Sequence, residues 1–202
     1  IRKKVRGRMP WLMVNLVTAS LAATVILAFS DMIELVPVAA IIFPIIANQS
    51  GNTGFQSLAV TLRGITLKEI HKERVTPLVM REALSGGAMG IGVGVFLFAG
   101  VVGLGAIGRS MESEMLSGFS WRIGVVAGGA MLFAMFASAL VGTLIPILME
   151  KIGADPATAS SIFLVTFTDS LSFAVFLGLI FMLQPWIQGG QGLGEALGML
   201  GL

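Results

Sequence analysis

Asp169 is the only ionisable side chain in the middle of a long apolar run, residues 157–183. Ser161, Thr168 and Ser172 accompany it at helical spacing, and Thr158 stands at the start of the same run. A charge held at mid-membrane costs about 2.5–3.5 kcal/mol on insertion scales, so it needs a partner, a proton or a cation. No Lys or Arg lies inside an apolar run to serve as that partner. A second polar group, Asn48-Gln49-Ser50-Gly51-Asn52-Thr53-Gly54-Phe55-Gln56-Ser57, interrupts the run 35–62. On a helix Asn48, Asn52 and Gln56 form one row and Gln49, Thr53 and Ser57 the row beside it, a stripe about 100° wide. Gly51 and Gly54 weaken helix propensity there, and Pro37 and Pro44 remove backbone donors nearby, so the backbone is expected to open locally.

A carboxylate among amides, hydroxyls and carbonyls, without sulfur, is a hard-oxygen site suited to Mg²⁺, Ca²⁺ or Mn²⁺. The chain has no cysteine and one histidine, His71, which sits among charges and reads as solvated. Mg²⁺ gives up its waters reluctantly and is often held by one or two carboxylates. One Asp per chain with neutral hydrogen-bonding walls fits a hydrated Mg²⁺, and two subunits would supply two carboxylates. The membrane potential can drive such an ion: a divalent cation gains about 4.6 kcal/mol across 100 mV. No second intramembrane carboxylate offers a relay, which favours a channel over the alternative, a Na⁺- or H⁺-coupled divalent cation transporter. An enzyme is not expected, because aspartyl hydrolysis needs two carboxylates and no HExxH zinc motif is present.

The elements that position these residues are membrane spans. Charged residues make up 12% of the 202 and mean hydropathy is +0.92, against about 25% charged in a soluble domain. Five runs are long enough to cross a bilayer: 11–29, 35–62, 83–108, 123–149 and 157–183. The fold class is therefore all-α integral membrane, with five transmembrane helices making the unit 11–183. Eleven of the thirteen basic residues fall on one side, with Arg109 and Arg122 alone on the other. That bias puts the N-terminus in the cytoplasm and the C-terminus outside. Trp11, Trp121 and Trp186 each fall at a span end, where an amphipathic ring prefers to sit.

Gly64–Leu78 carries Leu67, Ile70, Val75 and Leu78 at helical spacing among charges, and reads as a short helix on the inner surface. The tail 184–202 is Gly-rich. Gly86, Gly90 and Gly94 in the third span, and Ala130, Ala134, Ser138 and Gly142 in the fourth, form small-residue rows that let helix backbones approach closely. The net charge of +2 and the lack of a basic–aromatic cluster give no footing for nucleic acid. The chain starts at Ile1, so it is expected to be a piece of something longer.

At these residues the chain resembles the membrane domain of the MgtE family of magnesium channels and transporters, over nearly its whole length to about residue 183. Arg8-Met9-Pro10-Trp11-Leu12 looks like the family's approach to its first helix. Pro44 with Gly51-Asn52-Thr53-Gly54-Phe55-Gln56-Ser57 is similar to its second-helix pore signature, and Arg81-Glu82 to the start of its third. Leu140-Val141-Gly142 through Pro146 to Gly153-Ala154-Asp155-Pro156-Ala157 resembles the fourth helix and following loop, where Asp155 reads as a helix cap. Asp169 falls where the family keeps its pore aspartate. Ser50-Gly51 stands where relatives commonly have Gly-Gly, and Ser161-Ile162 where many have Asn-Pro.

The resemblance implies a homodimer in a bacterial-type plasma membrane, its pore at the subunit interface and lined by the second and fifth helices. Asn48, Gly51, Asn52, Thr53 and Gln56 would line the ion path from one helix, and Ser161, Thr168 and Ser172 from the other. Hydrated Mg²⁺, the transported ion, would be held by Asp169 of both subunits, with the Val165 carbonyl facing it. The resemblance also implies N-terminal cytosolic regulatory domains with paired CBS modules, and makes residues 1–10 the end of a linker helix that gates the pore.

Overall fold

The computed structural model describes residues 2–70, 75–153 and 155–187. Seven helices follow one another among the described residues: α1 Arg2–Ala28, α2 Ser30–Leu35, α3 Ala39–Thr66, α4 Val75–Ser110, α5 Glu114–Ser117, α6 Trp121–Lys151 and α7 Pro156–Ile187. Each predicted span has its helix, in α1, α3, α4, α6 and α7. Three of these, α4, α6 and α7 from Ser160, are long and apolar enough to cross a membrane; Leu12–Ala28 is a shorter apolar stretch. Large apolar side chains such as Phe96, Val95, Phe133 and Phe181 face outward. Such an apolar exterior suits hydrocarbon rather than water.

The second predicted span begins four residues later than expected. Pro37 lacks an N–H and restricts the residue before it, so Val36 leaves the helix at φ −132° and ψ 73° and α2 ends at Leu35. The chain restarts through Ala39 N–H, which donates to Val36 O at 2.9 Å.

Two expectations fail here. The backbone of α3 does not open at its polar stretch but runs helically from Ala39 to Thr66, through Pro44, Gly51 and Gly54. The glycines are contact points for neighbouring helices, as described below, and packing outweighs their low propensity. Nor is Gly64–Leu78 a separate surface helix. Its first residues end α3, Lys68 turns the chain at φ 55°, and Val75 starts α4. Ile70 folds back onto Gly64, where a Cβ would come within 3.0 Å of its side chain. His71 and the Gly-rich tail from residue 188 lie outside the described residues.

The central helix is α6, which packs against α3, α4 and α7; α1 leans on α7. Its start is set by Ser120, whose hydroxyl accepts from Ile123 N–H at 3.3 Å as an N-cap. Ala127, Ala130, Met131 and Ala134 of α6 are fully enclosed with Ile42 and Ile46 of α3 and Phe176, Leu177 and Ile180 of α7. Contact between α4 and α6 runs along the glycine row. A Cβ at Gly86 would meet Ala139 Cβ at 2.6 Å, one at Gly90 the Leu132 Cα at 2.8 Å, and one at Gly94 the Gly128 carbonyl at 2.7 Å. The other face of α6 meets α3 through Gly142, against the Gly54 carbonyl. Where Trp121 opens α6 and Trp186 nears the end of α7, their rings meet edge to face at 5.4 Å. The Arg122 guanidinium lies 5.7 and 5.9 Å from the two ring centres.

Candidate ion site on α3 and α7

Helix α7 presents Asp169 half-buried, flanked by Thr168 and Ser172, which are enclosed inside the protomer. The two hydroxyls are tied to their own helix: Thr168 Oγ1 donates to Val165 O at 3.2 Å and Ser172 Oγ to Thr168 O at 2.6 Å. The Val165 carbonyl therefore accepts the Thr168 hydroxyl proton in addition to the helical Asp169 N–H, so it can face an ion only where that hydroxyl turns away. Val165 and Ser161 are partly exposed, on the same helix as Asp169.

Opposite them, the polar stripe of α3 divides into two faces. Asn48, Gln49, Asn52 and Gln56 are exposed on the protomer surface. Asn52 Nδ2 donates to Asn48 Oδ1 at 2.9 Å, which links two of the outward amides. Thr53 and Ser57, grouped by spacing with Gln49, instead turn inward, 3% and 2% exposed. Thr53 Oγ1 bonds the Gln49 carbonyl at 3.0 Å. Ser50 and Thr61 join them, so Ser50, Thr53, Ser57 and Thr61 form a buried hydroxyl row, which meets Ser172 of α7 through Ser50 and Glu82 of α4 through Ser57. The spacing of three, four and four was legible in the sequence, but the row was missed because Asn and Gln dominated the reading.

Gly51 and Gly54 bring α3 against α7. A Cβ at Gly51 would stand 3.9 Å from Thr168 Oγ1, and one at Gly54 would press on Leu164 at 3.0 Å, the Ser138 carbonyl at 3.2 Å and Thr168 Cγ2 at 3.3 Å. One turn away, Ser50 Oγ and Ser172 Oγ lie 2.6 Å apart. Asp169 is thus next in sequence to Thr168, which packs against Gly51 and Gly54 of α3. Thr53, Thr168 and Ser172 are packed within one protomer, whereas Asn48, Asn52 and Gln56 reach its outer surface. Among the described residues no three His, Cys, Asp or Glu side chains gather into a metal cage. In α7 the described residues offer one carboxylate, Asp169, on a helix that also carries the hydroxyls of Thr168 and Ser172.

The helix-packing residues occupy two different contacts: Gly86, Gly90 and Gly94 join α4 to α6, while Gly142 joins α6 to α3 and Ala134 is wholly enclosed.

Residues 43–179, which hold this entire arrangement, match the family model MgtE, described as a divalent cation transporter. The chain is 30% identical over 188 residues to the magnesium transporter MgtE of Enterococcus faecalis, covering 91% of the chain and 38% of that protein. It is 28% identical over 172 residues to the Bacillus subtilis magnesium transporter MgtE, covering 85% and 35%, and 24% identical over 173 residues to that of Thermus thermophilus, covering 86% and 35%. The chain therefore spans little more than a third of the length of the curated relatives it matches. A family model covering residues 43–179, with the long apolar helices it encloses, makes this chain a multi-pass membrane member of the MgtE family of divalent cation transporters.

Proposed function

We propose that this chain is the membrane pore of a channel that moves Mg²⁺ into the cell down its electrochemical gradient, with a hydrated cation held at mid-membrane by Asp169. One observation carries the reading. Asp169 is a half-buried carboxylate, midway along an apolar helix, with Thr168 and Ser172 near it in sequence and no basic residue inside any of the five apolar runs. A cation is the partner that such a carboxylate lacks.

In this reading α1, α3, α4, α6 and α7 all cross the bacterial plasma membrane, with the N-terminus in the cytoplasm and the C-terminus outside. Two copies meet along the surface that carries Asn48, Asn52 and Gln56, so that two Asp169 carboxylates flank one hydrated ion. The outward amides then line the path and hydrogen-bond the ion's waters, while Val165 contributes its carbonyl. Gly51 and Ser161 border the same path. Thr53, Thr168 and Ser172 support it from behind by fixing α3 against α7. N-terminal cytosolic regulatory domains act on the pore through the start of α1.

The test is Mg²⁺ flux into proteoliposomes at imposed voltage, comparing the parent with Asp169→Asn. Flux in the parent and its loss in a mutant that still assembles supports the reading; equal flux in both sinks it.

A further inference from the structure

Glu82 lies on α4, and its Oε2 accepts a hydrogen bond from Ser57 Oγ on α3 at 2.9 Å. Ser57 is 2% exposed and Glu82 half-buried. Elsewhere α3 and α4 stand apart on either side of α6, separated by an apolar cleft of about 320 Å³ with Ile41, Ile45 and Gln49 on one wall and Val93, Phe96 and Leu97 on the other.

The bond forms at a definite level. Gly142 and Ser138 of α6 touch Gly54 of α3, while Ala139 and Met135 on the other face touch Gly86 of α4. Both helices therefore lie close to α6 at the same height. Ser57 follows Gly54 by three residues and Glu82 precedes Gly86 by four, so each is about one turn beyond that crossing, towards the Thr66 and Val75 ends. There α3 and α4 come within reach of one another across α6. Gly54 itself abuts Thr168, the neighbour of Asp169.

We propose that Glu82 is a positioning residue for the ion path: by accepting the Ser57 hydroxyl it holds the inner end of α3 against α4, and so fixes where the Asn48–Gln56 row stands relative to Asp169. This rests on the function proposed above. The physical case is asymmetry. A half-buried carboxyl that loses its donor leaves an unpaired acceptor, which costs more than the bond itself contributes. Ser57 cannot be replaced by a backbone donor at that point, because α3 uses its N–H groups internally.

The experiment compares the parent, Ser57→Ala, Glu82→Ala, Glu82→Gln and the double variant Ser57→Ala/Glu82→Ala in proteoliposomes, reading Mg²⁺ flux and the Mg²⁺/Ca²⁺ flux ratio. Each alanine variant should lower that ratio by roughly tenfold, the scale of losing about 1.4 kcal/mol. The double variant should be no worse than the poorer single, and Glu82→Gln should stay near the parent because its amide oxygen accepts the same bond. A Glu82→Gln variant as impaired as Glu82→Ala, losses that multiply in the double, or an unchanged ratio in all variants would each overturn the proposal. Failure of the pore reading looks different: the parent transports nothing, or Asp169→Asn transports as the parent does. In that event amide hydrogen exchange over residues 57–66 still decides. Faster exchange in Glu82→Ala but not in Glu82→Gln supports the tether, and equal exchange in all three overturns it.

Discussion

Ser50 and Ser172 face one another across α3 and α7 with their Oγ atoms 2.6 Å apart, both enclosed. Each hydroxyl also lies within bonding distance of a carbonyl on its own helix, Ala47 O at 3.0 Å and Thr168 O at 2.6 Å. Two hydroxyl protons thus face three possible bonds. When the inter-helix bond forms, one of the two carbonyls loses its hydroxyl partner. Which serine donates across the helices decides which carbonyl that is.

Replacing one of these serines is expected to loosen α3 against α7 without unfolding either helix. Ser172→Ala removes the donor to Thr168 O and should destabilise by about 1 kcal/mol, as for a typical buried hydrogen bond. Ser50→Ala should act similarly, and the double variant should cost less than the sum. Thermal unfolding in detergent with all four proteins closes the cycle; strict additivity would show that the two hydroxyls do not communicate.

The glycine contacts make a sharper prediction because controls exist within the same helix. Gly86→Ala places a methyl 2.6 Å from Ala139 Cβ and 2.7 Å from the Met135 carbonyl. Overpacking of this kind costs about 1–3 kcal/mol. Gly142→Ala, against the Gly54 carbonyl, should be at least as damaging. Gly92→Ala and Gly100→Ala meet nothing within 4 Å, and should be neutral or stabilise by about 0.5–1 kcal/mol through helix propensity. Melting temperatures that fail to separate the two pairs would count against the α4–α6–α3 packing.

An ion site that needs Asp169 should stabilise the folded protein by mass action. At Mg²⁺ about a hundredfold above its dissociation constant the gain is about 2.7 kcal/mol. The rise in melting temperature on adding Mg²⁺ should vanish in Asp169→Asn. A shift of equal size in that variant would place the cation elsewhere.

The exposed amides on α3 allow a test of whether that face lines a path for ions or meets lipid. Asn52 is exposed and bonded to Asn48, so Asn52→Leu disturbs little inside the protomer. On a lipid-facing helix the change should leave flux untouched and favour insertion. On the proposed path it should cut Mg²⁺ flux by roughly tenfold or more, on the scale of 1.4 kcal/mol for losing a polar contact to the ion's waters. Flux measured beside melting temperature distinguishes the two.

Helix positions were legible along the chain because hydropathy and helix length are local, and three of the five runs have helices long and apolar enough to cross a membrane. A run such as 123–149 announces its helix whatever it packs against, and α6 extends it by only two residues at each end. Asp169 was legible for the same reason: a lone carboxylate in an apolar run is conspicuous without any structure.

Which way the second polar helix turns was decided only by tertiary packing. Rows one residue apart differ by about 100°, and sequence alone cannot say which row meets a neighbour. Gly54, Ser138 and Gly142 settle it by letting α3 and α6 touch there, which turns Ser50, Thr53 and Ser57 inward and leaves Asn48, Asn52 and Gln56 outside. The same contacts keep α3 helical where propensity suggested a break. The Ser57–Glu82 bond joins residues 25 apart in sequence, and it exists because glycines on α3, α4 and α6 bring three backbones to one level.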